Sequence, residues 1–138
     1  FALGASVFPL LELGEFDEAI RRAESNVKLL ERYNSREASL AKETLGRALA
    51  RAGRWREAAG RLAEAEAEFR ERGRSYDVEQ LATLRLLCLL YVGDYAAAAN
   101  VARHVGDGEH WESWMKEALA SVRAPEALEI LRRCLGSR

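Results

Sequence analysis

The sequence predicts an all-α chain of antiparallel helix hairpins, and three observations predict it. Apolar residues recur at helical spacing along nearly the whole chain, with no alternating run long enough for a sheet. Ala, Leu, Glu and Arg are abundant and there are only two prolines, a composition that favours helix. One phrase is also written three times: LGEFDEA at Leu13–Ala19, AGRWREA at Ala52–Ala58 and VGDYAAA at Val92–Ala98. Its glycines, Gly14, Gly53 and Gly93, stand 39 and then 40 residues apart.

Eight helices are expected, at about 2–13, 16–33, 36–52, 55–72, 77–92, 95–105, 109–122 and 125–135. Pro9 lies inside the first, where it removes a backbone hydrogen bond and kinks or shortens the helix. The third and fourth are the clearest. Leu40, Leu45, Ala48, Leu49 and Ala52 fall largely on one face, and Trp55, Ala58, Ala59, Leu62, Ala65 and Phe69 on one face of the next. Gly53 between them suits a helix C-terminus in the left-handed conformation, and so short a break folds the two helices back on one another. The first and third phrases join the first to the second helix and the fifth to the sixth in the same way. Asn34-Ser35, Gly73-Arg74-Ser75 and Gly106-Asp107-Gly108 separate the hairpins, with Ser35, Ser75 or Asp77, and Asp107 as N-caps. Pro125 fits the first position of the eighth helix.

A chain of 138 residues has the size of one domain and buries a substantial core without staples. It is 49% hydrophobic and 31% charged, with a formal net charge of −1. That balance argues against nucleic acid or an anionic membrane as direct partner, since both favour a concentrated positive field. Arg outnumbers Lys 18 to 3, which reads as the codon usage of a GC-rich genome rather than as chemistry. Cys88 and Cys134 stand far apart in apolar helical patterns and read as small core residues of a reduced, cytoplasmic protein. No apolar stretch approaches the ~18 residues of a membrane span, and no signal peptide is visible. The chain starts at Phe1 within a helical pattern and is expected to be a piece of a longer protein.

A helix–turn–helix unit with Leu-Gly in its first helix, Gly plus an aromatic at the bend and Ala early in its second resembles the tetratricopeptide repeat. The second unit carries the pattern best, with Leu45-Gly46, Gly53, Trp55, Ala58, Leu62 and Ala65; the first matches at Gly14, Phe16 and Ala19, the third at Gly93, Tyr95 and Ala98. A degenerate fourth places Trp111, Trp114, Ala127 and Leu131 at the large and small positions, with Val122–Pro125 as its bend. The repeats fall at about 1–34, 35–74, 75–106 and 107–138. The resemblance implies a right-handed α-solenoid of about four stacked hairpins. Spacings of 39 and 40 exceed the usual ~34 residues. These elongated repeats resemble those of large bacterial signalling ATPases and maltose-activator-type transcriptional regulators. Ala98 to Ala127 is only 29 residues, so the third hairpin needs a short second helix.

The resemblance further implies a non-catalytic scaffold whose concave face, lined by the first helix of each pair, binds a protein or peptide; no cofactor or metal is expected. The alternative is a sensor that binds a small ligand or signalling peptide and relays a change in curvature. By the family's register the inward positions are Glu43, Arg47 and Arg51, then Gln80, Thr83, Leu87 and Tyr91, then Glu109, Glu112 and Lys116. Arg47 and Arg51, four apart, share a face on which they clasp a carboxylate or phosphate; the alternative is a solvated basic helix face, paired with Glu43 one turn away. The family's chaperone-tail clamp is absent, since its places hold Gly4, Phe8, Thr44, Gln80 and Leu84. His104, Asp107, Glu109 and His110 lack metal-site spacing and read as an inter-repeat loop. AEAEAEFRER (Ala63–Arg72) reads as a solvated outer helix with its alanines and Phe69 inward. Phe1, Leu3 and Phe8 at one end, and Leu128, Leu131 and Leu135 at the other, offer open ends for self-association.

The phrase is therefore expected to build rather than react: Gly permits the bend, the aromatic packs between helices, and Ala lets them approach. Trp55→Ala is expected to cost about 3–5 kcal/mol, far more than Arg54→Ala. Equal melting temperatures for the two variants would defeat that packing role.

Overall fold

The computed structural model describes residues 7–33, 36–103, 105, 112–122 and 124–135. These form eight α-helices and, among the described residues, no strand. They are α1 (Val7–Glu12), α2 (Phe16–Arg32), α3 (Ala38–Arg51), α4 (Trp55–Glu71), α5 (Ser75–Val92), α6 (Tyr95–Ala102), α7 (Ser113–Ala120) and α8 (Pro125–Leu135). The short α6 and the start of α8 at Pro125 agree with the sequence reading. Ser75 does not cap α5: it is the first helical residue, and Arg74 holds the N-cap position. Ser35 and Asp107 lie outside the described residues.

Each phrase makes one local structure. Gly53 has φ +79°, where a Cβ is strained. Its N–H donates to the Ala50 carbonyl (3.0 Å), and the Arg54 N–H donates to the Leu49 carbonyl (2.9 Å). This double closure satisfies carbonyls that the end of α3 would otherwise leave unpaired. Arg54 is at once the N-cap of α4, its carbonyl accepting from the Ala58 N–H (3.0 Å). Three residues thus end one helix and begin the next. Gly14 and Gly93 repeat the left-handed turn. So does Gly73, read from sequence only as a spacer, where the Arg74 guanidinium lies 5.1 Å from the centre of the Phe69 ring.

Consecutive helices from α1 to α6 pack on each other, and alternate ones also meet: α1 with α3, α3 with α5, α5 with α7 and α6 with α8. Helix α5 is the centre of this arrangement. Its residues 81–84 and 86–90 are buried, which requires neighbours all round; α3, α4, α6 and α7 supply them. Leu40, placed on the apolar face by periodicity, is exposed; Ala41 is buried beside it. Phe16, Trp55 and Tyr95, the aromatics of the phrase, pack against the core but remain half-buried.

The charge run on α4 departs from its expected solvated role. Glu66 is only 2% exposed and pairs with Arg85 of α5, with Arg70 further off at 3.8 Å. Glu68 accepts from the Lys42 ammonium (2.8 Å) on α3, which also lies 3.4 Å from Glu31 of α2. Burial pulls the Lys42 pKa down, but the two carboxylates outweigh it and the pKa is raised, so Lys42 stays charged. Alternating Glu and Ala hid this because helical period, not composition, decides which glutamates turn toward a neighbour. Cys88 is buried, and burial pushes its thiol up to about 12, so it is not a nucleophile at neutral pH. The side chain of Cys134 lies outside the described residues.

Helices α3 and α4 approach closely where Gly46 faces Leu62. A Cβ on Gly46 would stand 2.7 Å from Leu62 Cδ2 and 2.8 Å from Cγ, and Leu62, fully buried, has no open space to enter. Gly→Ala gains about 1 kcal/mol of helix propensity, but overpacking costs about 1–3 kcal/mol. Gly46→Ala is therefore expected to lose about 1 kcal/mol net. Gly60→Ala on the exposed face of α4, where a Cβ meets nothing within 4 Å, should gain about 0.5–1 kcal/mol. Urea denaturation of both variants checks the sign; stabilisation by Gly46→Ala would refute the close approach.

Candidate functional site

A cavity of about 290 Å³ opens where three stretches distant in sequence converge. Helix α1 contributes Phe8, Leu11 and Glu12, α3 contributes Arg47 and Arg51, and the start of α7 contributes Glu112 and Trp114. On α3 the two arginines are one helical turn apart, both half-buried, and both line the cavity. On α1, Leu11 is buried and Phe8 is 46% exposed.

Every charged head here already has a partner. Arg47 holds Glu43 (3.2 Å), four residues back on its own helix, and Glu112 (3.0 Å) across the cavity. Glu112 also accepts from the Trp114 indole N–H (2.9 Å). The Arg51 guanidinium lies 5.2 Å from the centre of the Trp114 ring and 3.6 Å from Glu12. Two arginines thus face three carboxylates. An open anion clasp at Arg47 and Arg51 is not what forms; the alternative, pairing with Glu43, holds for Arg47 and extends to Glu112.

Of the ten candidate positions nine lie among the described residues, and of these Glu43, Arg47, Arg51 and Glu112 are brought together. Thr83 (1% exposed) and Leu87 (fully buried) are not groove residues: α5 is covered on all sides, and the Thr83 hydroxyl donates to the Glu79 carbonyl of its own helix (3.0 Å). Tyr91 is half-buried and acts as a tie. Its ring stacks on Trp55 (centroids 4.4 Å apart, planes at 13°) and its hydroxyl donates to the Ala118 carbonyl of α7. Gln80, half-buried, sits about 16 Å along α5 from Tyr91 at 1.5 Å per residue. Lys116 is exposed on α7.

Sequence reasoning missed Leu11, Glu12 and Trp114 as site residues, placing Trp114 only at a large position of the fourth repeat. Trp114 is half-buried; its acid two residues earlier was the available signal. His104, Asp107, Glu109, His110 and Trp111 lie outside the described residues. Among the described residues no group of His, Cys, Asp and Glu is placed to hold a metal, and no helix is long and apolar enough to cross a membrane. At the chain ends, Phe8 and Leu128 are about half exposed, while Phe1, Leu3 and the side chains of Leu131 and Leu135 are not described.

Comparison of the chain with protein-family models, curated proteins and solved structures gives no match.

Tyr91→Phe keeps the stack on Trp55 and loses one hydrogen bond, an expected cost of about 1 kcal/mol. Tyr91→Ala should cost several times more, because burial and the aromatic pair are lost together. Chemical denaturation of the two variants separates hydroxyl from ring; a Phe variant as stable as the parent would remove the tie to α7.

Proposed function

We propose that the chain is a non-catalytic, tetratricopeptide-like α-solenoid that binds a protein or peptide segment in the groove between α1, α3 and α7, as the interaction part of a larger cytoplasmic bacterial regulator. The observation that carries this reading is the cavity itself. It is lined by α1, α3 and the start of α7, with a half-exposed Phe8 and a half-buried Trp114 among paired charges. An apolar floor with a polar rim is the anatomy of a peptide groove. The packing of alternate helices α1, α3, α5 and α7 supports the stacked-hairpin reading, since first helices of successive repeats meet in such a stack.

The sensor reading draws on one feature of the same cavity. Its volume of about 290 Å³ stands at the lower end of small-molecule sites, which run from about 300 to 1,000 Å³. A ligand there would touch α1, α3 and α7 at once and alter their separation. A thermal shift with metabolites in the absence of any peptide would favour it.

The peptide reading is tested by selecting random dodecapeptides on the immobilised chain and measuring the winners by fluorescence anisotropy. Phe8→Asp and Arg51→Glu are expected to weaken their binding at least tenfold with helix content unchanged. Winners that bind both variants like the parent would place the binding surface elsewhere.

A further inference from the structure

The segment from Glu112 to Trp114 stands out among the walls of the groove, because it touches the arginines of α3 as a bound peptide would. Glu112 has an extended backbone (φ −74°, ψ 160°), is exposed at 52% of its side chain, and reaches Arg47 across a separation of 65 residues. Trp114 lays its ring beside the Arg51 guanidinium and returns its indole N–H to Glu112. The three residues therefore present an acid, a spacer and an aromatic ring to a pair of arginines one turn apart.

The hold is weak. The Arg47–Glu112 pair is open to water on the Glu112 side, and such pairs bias an equilibrium by only a few-fold, as do exposed contacts between a cation and an aromatic ring. Behind the segment, α7 has eight residues, of which Met115 alone is buried, so little of its own burial presses Glu112 and Trp114 onto α3. By contrast the Arg47–Glu43 pair is largely buried on both sides and stays with α3.

We infer that residues 112–114 are an internal stand-in for the ligand, and that the groove's partner is a peptide carrying an acidic residue, one spacer and an aromatic, with an apolar side chain beside them. This rests on the peptide reading and names its chemistry. When the segment lifts, Arg47 loses one of its two carboxylates and Arg51 loses its ring. The place left open takes a carboxylate and an aromatic face. The incoming peptide outcompetes the segment because its extra apolar side chain enters the cavity against Phe8 and Leu11. Self-occupancy lowers the apparent affinity by the fraction of time the groove is open, about 5–30-fold for two contacts of this strength.

The test measures the peptides selected above against the parent chain, Glu112→Gln, the double variant Glu112→Gln/Trp114→Ala, and Arg47→Gln, with circular dichroism confirming the fold of each. The selected peptides are expected to share the acid–spacer–aromatic pattern. They should bind the double variant about 5–30-fold tighter than the parent, at the few-fold contact strengths given above, with Glu112→Gln in between, and lose affinity for Arg47→Gln. Peptides of a different pattern, or equal or weaker binding to the double variant, overturn the stand-in while leaving the groove reading intact. If the double variant loses helix, Glu112→Gln alone decides: unchanged affinity overturns the inference. Enrichment of no peptide on any variant brings down the groove reading and this inference together.

Discussion

A backbone constraint underlies everything else in the molecule. At Gly14, Gly53, Gly73 and Gly93 the chain enters the left-handed region, and the residue after each glycine donates its N–H five residues back. That geometry closes one helix and opens the next within three residues. The two helices then have no freedom to diverge, so their apolar faces are pressed together by connectivity before any side chain is considered. A longer or differently turned connection would leave the same amphipathic helices with many ways to pair.

Given the bends, packing distance is the next constraint. Small residues set it: Ala19, Ala58 and Ala98 are fully buried just after the turns, and Gly46 takes Leu62 against its own backbone. Close approach explains how polar side chains came to be buried as well. Once α4 lies near α3 and α5, Glu66 has no water to return to and Arg85 meets it, while Lys42 is buried against the half-buried Glu68. Such pairs contribute little net stability, because desolvation offsets most of the attraction. Removing one partner is another matter, since an isolated buried charge remains.

The groove between α1, α3 and α7 is a consequence of the same arrangement. Alternate helices line up beside one another, and side chains at their ends converge although more than 100 residues separate Phe8 from Trp114. Its charges are paired internally, Arg47 with Glu43 and Glu112 and Arg51 with Glu12. Tyr91 gives the arrangement a fixed reference: stacked on Trp55 and bonded to α7, it holds that helix near α5 while the first residues of α7 remain lightly held.

Helices and bends were legible in the amino-acid sequence because both are local. A 3.6-residue period and a glycine after the last apolar position need no knowledge of the rest of the chain, and the short α6 followed from the repeat register that the family resemblance implied. The pairing of Arg47 with Glu43 was legible for the same reason, being a single helical turn. What lay beyond reach were relations between helices. That Thr83 and Leu87 are buried depends on α5 being surrounded, that Glu66 and Glu68 are paired depends on the rotation of α4, and that Glu112 meets Arg47 depends on where α7 comes to rest. The sequence by itself determined which segments are helical and where each turns back. Only the tertiary structure decided which side chains share the groove, because their meeting is set by helix orientations that accumulate over the whole chain and by no local pattern within it.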